Sequence, residues 1–283
     1  MFRIGIVGAE NSHARDISGR INLTDAWPDC RVTQVWGHYP EENQRLARDF
    51  GIELAPGLEE MVEKVDAVFV CARDGKFHEE FARPFIEAGL PAFIDKPFTV
   101  DVDRAKALVE LAKSKNVPLC GGSTLKYAEG VEELARHVRE NGGVLGGSVY
   151  APVQMESEYS GFFFYSPHLA EMTLEIFGYA PLSVAAVKNA SGVCATVDYG
   201  DFCVTNHFGS GAVDYCASVY SSHGSEVRKV DLSMIGEKNC AAFVNMLRTG
   251  EMPRSYDRLI APVVYLAAVK QAYETGEKVK MKF

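Results

Sequence analysis

The sequence carries no CxxC pair, no cluster of lysines and arginines, and no His-x-x-x-His or His-Glu-x-x-His spacing. It also has no apolar run approaching the ~20 residues of a membrane span. Each absence removes a class of function. Without a basic patch, and with 29 Lys and Arg against 38 Asp and Glu for a net charge of −9, nucleic acid and anionic membrane are excluded as expected partners. Without paired ligand spacing no metal site is expected. The seven cysteines are odd in number and scattered, which favours buried free thiols over a disulfide or zinc framework. The opening apolar run, MFRIGIVG, is too short for the h-region of a leader, so a cytoplasmic chain is expected.

What is present is ordinary globular material: 283 residues, 47% hydrophobic and 24% charged, enough for two domains with sizeable cores. Residues 1–121 alternate apolar strand runs (RIGIVGA, CRVTQVWG, VDAVFVCA, PAFID, VPLCGG) with amphipathic helical stretches. That alternation predicts a parallel sheet covered on both faces, with ligands at the carboxyl ends of its strands. After Gly122 the texture changes. A helix over YAEGVEELARHVRENGG is followed by short strand-like runs broken by glycine: LGGSVYAPVQM, SVAAVKNASG, VCATVDYG, DFCVTNHFG, AVDYCASVYSS and VRKVDLSMIG. SPHLAEMTLEIFG interrupts them as a helix, and a long helix over residues 255–275 closes the chain. Such runs predict an open, mostly antiparallel sheet.

The turn after the first strand reads GAENSH, residues 8–13. A dinucleotide fingerprint, G-x-G-x-x-G, needs glycine where this chain has Glu10 and His13. A carboxylate at the second glycine position stands where a pyrophosphate should lie. Helix N-terminal N–H groups, together with Asn11, Ser12 and His13, still offer donors there. The loop therefore reads either as a phosphate cradle or as a capped helix start. The second strand ends in Gly37-His38 where an acid would take the ribose hydroxyls, so NAD is not favoured over NADP.

Residues 77–100, FHEEFARPFIEAGLPAFIDKPFTV, resemble the glucose–fructose oxidoreductase / inositol dehydrogenase / MocA family of NAD(P)-dependent dehydrogenases. In that family a histidine opens the helix after the fourth strand and the following strand ends in Glu-Lys-Pro; here these are His78 and Asp95-Lys96-Pro97. The stretches from Leu125 to Val149 and from Phe243 to Met281 are similar to the family's second domain and C-terminal region. The resemblance implies an α/β chain with a Rossmann domain over 1–121 and an α+β substrate and oligomerisation domain over 122–283. It implies NAD or NADP as cofactor, a small sugar, polyol or related carbonyl compound as substrate, and a homodimer or homotetramer formed through the second-domain sheet.

The chemistry of Lys96 stands beside that resemblance: an ammonium at a strand end hydrogen-bonds a reacting oxygen, and desolvation frees its proton. His168 matches the family's catalytic histidine, with Glu171 the acid after it; the earlier Asp position holds Phe164. Glu171 is then a candidate to orient the imidazole across one helical turn. The expected cofactor set is Gly8, Ala9, Glu10, Asn11, Ser12, His13, His38, Arg73, His78, Asp95 and Pro97, with His13 and His78 at its structural periphery. Arg73 either neutralises a phosphate or pairs with Glu10. Lys126, Tyr127, Tyr165 and Glu171 are the expected substrate contacts, although the aromatic run Phe162–Tyr165 equally suits a core. Two other readings stay open: a binding or regulatory protein without redox turnover, and net elimination or hydrolysis through transient oxidation.

Overall fold

Short runs rich in Val, Ile and Phe form the first sheet because both its faces are buried, and β-branched and aromatic side chains suit a pleated, covered surface. The computed structural model describes residues 1–211 and 213–283. In chain order the first elements are β1 (Phe2–Val7), α1 (Ser12–Asn22), β2 (Cys30–Trp36), α2 (Pro40–Phe50), β3 (Glu53–Leu54), α3 (Leu58–Val62), β4 (Ala67–Val70), α4 (His78–Glu87), β5 (Ala92–Asp95), α5 (Val102–Lys115) and β6 (Leu119–Gly122). All the pairings are parallel and the strand order is β3-β2-β1-β4-β5-β6. The order reverses direction between β1 and β4, which makes their carboxyl ends the switch point of a doubly wound sheet.

The second half contributes α6 (Glu129–Asn141), β7 (Val144–Val153), α7 (Ser166–Phe177), β8 (Ser183–Asn189), β9 (Gly192–Asp198), β10 (Cys203–Ser210), β11 (Cys216–Ser221), β12 (Gly224–Lys229), α8 (Ile235–Thr249), α9 (Tyr256–Thr275) and β13 (Val279–Lys280). Its seven-stranded sheet runs β12-β11-β7-β10-β9-β8-β13, antiparallel except for the β7–β10 pair. The inward face buries Val184, Val193, Ala195, Val197, Val204 and Phe208. Asn206 bridges there, donating to Thr173 Oγ1 at 3.0 Å and accepting from the Tyr265 hydroxyl.

The chain divides into two compact units: Met1–Gly122 with Gly236–Leu259, and Ser123–Ile235 with Ile260–Phe283. The boundary thus differs from a simple cut after residue 121, because α8 joins the first unit. The reason is packing: Cys240, Phe243, Val244, Met246 and Leu247 of α8 are buried in one cluster with Ile4, Phe69 and Phe93. The strand expected over VRKVDLSMIG stops at Lys229, and its last residues, Ile235 and Gly236, open α8 instead. The run AVDYCASVYSS yields a strand only from Cys216, and its Ala212 lies outside the described residues. Among the described residues no helix is long and apolar enough to cross a membrane, and no group of three or more His, Cys, Asp or Glu is arranged to hold a metal.

Candidate active site

In the first unit, the loop after β1 and the ends of β4 and β5 carry the residues singled out by sequence. Gly8 turns the chain with φ of 102°, and a Cβ there would lie 2.3 Å from the Ala72 backbone nitrogen. Only glycine meets both demands. Asn11 caps α1, accepting from the His13 backbone N–H at 3.1 Å. Its amide also reaches across to Asp95 Oδ2 at 3.3 Å, and His13 Nδ1 lies 2.7 Å from the same oxygen. The loop after β1 is therefore tied to the end of β5, two strands away, at the switch point.

Glu10 behaves differently from what its charge implies in isolation. Its Oε1 accepts from the backbone N–H of Arg73 at 2.9 Å, and its Oε2 is buried without a hydrogen-bond partner. The carboxylate is thus folded back against the loop after β4, with Oε2 out of solvent. The contact to residue 73 comes through a main-chain donor, which no side-chain pattern announces.

His78, fully buried, bridges the ends of β4 and β5: its Nε2 and Nδ1 lie 2.7 Å from Ala72 O and Pro97 O. Gly75 packs so closely on Pro97 that a Cβ would fall 2.3 Å from the proline Cγ. Ala9 is buried, Ser12 is exposed at the start of α1, and His38 is exposed but packs edge-on against Trp36, Phe77 and Phe81.

Electrostatically this end of the sheet is a row of alternating charge. Asp95 is wholly buried, and burial pushes its carboxyl up. The nearby His13 and Lys96 outweigh that and leave it well below the usual carboxylate range. The Asp95 charge raises His13 above 6.5, against the opposing pull of burial. Lys96, only 7% exposed, is lowered from 10.5 first by burial; Asp95 restores part of it and the charge of Arg73 lowers it again. Asp95 Oδ1 is buried with no hydrogen-bond partner. A tight glycine turn, a helix start free of acidic residues in its first turn, a carboxylate held by a main-chain N–H and a histidine biased toward its charged form by Asp95 make a set that fits a phosphate-bearing dinucleotide.

The second unit carries the other group. Ser123 follows directly on β6, and its Oγ lies 2.8 Å from His168 Nδ1 near the start of α7. The same Oγ accepts from the Leu125 N–H at 3.1 Å. Glu171 does not bond His168 in the arrangement seen; its Oε1 accepts from the Ser123 N–H at 2.9 Å and its Oε2 from Lys126 Nζ at 3.4 Å. Burial raises the Glu171 carboxyl, and Lys126 and the Ser123 amide offset part of that. Lys126 also donates to Ser123 O at 3.0 Å, so its buried charge faces inward and holds the turn that presents Ser123. Tyr165 and Tyr215 stand edge-on to the His168 ring at 5.5 and 5.9 Å. Tyr127 lies under the Lys126 ammonium. In the aromatic run, Phe162 and Phe163 are buried, whereas Phe164 and Tyr165 are half-buried. Ser123 was the residue that sequence reasoning passed over. The hint available was its place after a strand end, in CGGST.

Comparison with known proteins follows the same lines. Residues 2–122 match the family model described as an oxidoreductase family with an NAD-binding Rossmann fold. UDP-N-acetylglucosamine 3-dehydrogenase of Acidithiobacillus ferrooxidans is 24% identical over 71% of this chain and 61% of its own length. Inositol 2-dehydrogenase of Corynebacterium glutamicum (strain R) is 30% identical over 41% of this chain and 34% of its own. The chain thus spans less than two thirds of either relative. Among solved structures, GenD2 from gentamicin A biosynthesis, in complex with NAD, superposes with a TM-score of 0.86 over 100% of this chain and 97% of that one, at 17% identity. That likeness concerns the fold.

Proposed function

We propose that this chain, whose residues 2–122 match the model of the glucose–fructose oxidoreductase / inositol dehydrogenase / MocA family of oxidoreductases, is an NAD(P)-dependent dehydrogenase or reductase. Its substrate is a CH–OH group, or the corresponding carbonyl, of a small sugar or polyol. The names of the relatives, a nucleotide-sugar dehydrogenase and an inositol dehydrogenase, support that substrate class. When bound, the dinucleotide supplies the hydride acceptor or donor.

The observation that carries this reading is Lys96: a buried ammonium at the carboxyl end of β5, next to a buried carboxylate and lowered toward proton exchange by its surroundings. In the proposed roles Lys96 hydrogen-bonds the reacting oxygen, and His168, oriented by Ser123, takes or returns its proton. Gly8, Asn11 and His13 serve the dinucleotide phosphates, and Tyr165 the substrate. Lys126 and Glu171 hold the turn that carries Ser123. A cytoplasmic location belongs to the same proposal, since seven free thiols suit a reducing compartment. Self-association through the open face of the second sheet, as a dimer or tetramer, completes it.

Replacing Lys96 by Met tests the assignment. Turnover in a sugar and polyol screen should fall at least ~1000-fold, as expected for loss of a group that stabilises the reacting oxygen. Dinucleotide affinity by calorimetry should change by less than ~3-fold, about the span of a surface substitution. Turnover persisting at the wild-type rate in the Met variant would sink the role given to Lys96.

A further inference from the structure

His13 occupies the third glycine position of the dinucleotide fingerprint, in the first turn of α1, where a phosphate meets a helix start. A glycine there serves only close packing of helix on strand. A histidine there needs another explanation, and its surroundings supply one. Its Nδ1 is fixed at 2.7 Å from Asp95 Oδ2, so any proton on Nδ1 is directed to a carboxylate with no solvent exposure. Its ring is 30% exposed, and Nε2 has no partner among the described residues. The same loop turns its own anion, Glu10, back onto the Arg73 main-chain N–H, with Oε2 buried.

We infer that His13 is a cationic contact for the pyrophosphate of the dinucleotide, its charge secured by the buried Asp95 carboxylate and its free nitrogen turned to the phosphate. The inference rests on the dinucleotide-binding reading above. A second glycine would let the backbone itself approach the pyrophosphate; with Glu10 in that position, His13 supplies a charge-assisted hydrogen bond instead, the stronger kind.

The arrangement makes affinity depend on pH, and the sign follows from the groups facing the ring. Asp95, from β5, favours the charged imidazole, and Lys96, beside it, opposes it. Asp16, one turn along α1, adds a smaller favourable influence while itself paired with Arg20 at 2.9 Å. The balance lies on the side of the charged form, so His13 titrates above its usual 6.5. Binding should be tight below that raised value and weaken as pH rises through it.

The experiment is calorimetric titration of the whole chain with NADH and NADPH between about pH 6 and pH 9, for wild type, His13→Gln and His13→Lys. The wild-type Kd for the preferred dinucleotide should rise about tenfold across that range, equivalent to loss of one charge-assisted hydrogen bond. The Gln variant should show the weak, high-pH affinity throughout. The Lys variant, charged at every pH used, should bind tightly and without pH dependence. An NMR titration of the His13 ring in the unliganded protein should place its midpoint where the wild-type Kd changes. A flat wild-type Kd, or a Gln variant matching wild type at low pH, would overturn the role of His13 while leaving dinucleotide binding intact. Absence of dinucleotide binding by wild type at every pH would overturn the cofactor reading and this inference with it.

Discussion

A histidine that exchanges a proton must be held in one tautomer, usually by an acceptor on its far nitrogen. Where the resemblance leads one to expect an aspartate this chain has Phe164, and the Ser123 hydroxyl stands at His168 Nδ1 instead. A hydroxyl is a weaker orienter than a carboxylate, but this one is itself fixed by the Leu125 N–H and by a turn pinned through Glu171 and Lys126. Ser123→Ala should therefore lower kcat by about 10- to 100-fold, the cost of leaving one buried group unpaired. KM should hardly move, and Ser123→Thr should recover most of the rate. An equal loss in kcat and in thermal stability for the Ala variant, with no rescue by Thr, would instead mark a structural serine. At this scale the sequence announced side chains with unusual chemistry at strand and helix ends: Lys96, Asp95 and His168. It could not announce Ser123, since hydroxyls occur everywhere and only the folded chain brings residue 123 to residue 168. Nor could it announce that Glu10 is disarmed by a main-chain N–H, because every residue but proline carries one.

Elements were legible where period and length agreed. The strands of the first sheet read as unbroken apolar runs, and the helices that cover them showed apolar stripes. α8 was harder to see, although Cys240, Phe243, Val244 and Leu247 lie at the helical spacing i, i+3, i+4 and i+7. The alternating run before it, continued too far, absorbed its first residues. In the structure Phe243 is fully buried, with its ring 5.7 Å from Phe69 and 5.9 Å from Phe93. Those two rings stack on each other at 4.0 Å, on strands β4 and β5. The helix thus braces the two strands whose ends carry Arg73, Asp95 and Lys96. Phe243→Ala should destabilise the first unit by about 3–5 kcal/mol, as truncation of a large aromatic in a close-packed core does. Denaturant unfolding followed by near-ultraviolet dichroism measures it. Dinucleotide affinity should weaken as well, because the strand ends lose their support, and a cost below ~1 kcal/mol would mean that the helix lies loosely on the sheet.

At the scale of the second unit, the outer face of the sheet is largely exposed among the described residues. On the outer face of the second sheet the registers align Val187, Cys194, His207, Tyr150 and Cys216 in one row across five strands. The next row aligns Ala185, Thr196, Thr205, Ser148, Ser218 and Val227. The first row ends on β12 in Lys229; apart from that edge lysine neither row contains an Asp, Glu, Lys or Arg, in a chain whose net charge is −9. A face whose middle rows carry no acidic side chain, on an otherwise acidic protein, is a place where two copies meet with less of the repulsion that their remaining surfaces impose. Alternation made this face readable in the sequence, since period two separates inner Val and Phe from outer Thr, Cys and His. The number of copies was not readable, because it depends on how two such faces cross. A pairing of like faces about a two-fold axis brings each substituted residue close to its own copy or to a neighbour of it. Thr205→Glu, near the middle of the face, would bury two carboxylates there. Light scattering at tens of micromolar should therefore give a dimer or tetramer for wild type, strengthened by salt that screens the acidic surfaces. The Glu variant should run as a monomer with an unchanged far-ultraviolet spectrum. A wild-type monomer across that concentration range would remove this face as a site of self-association.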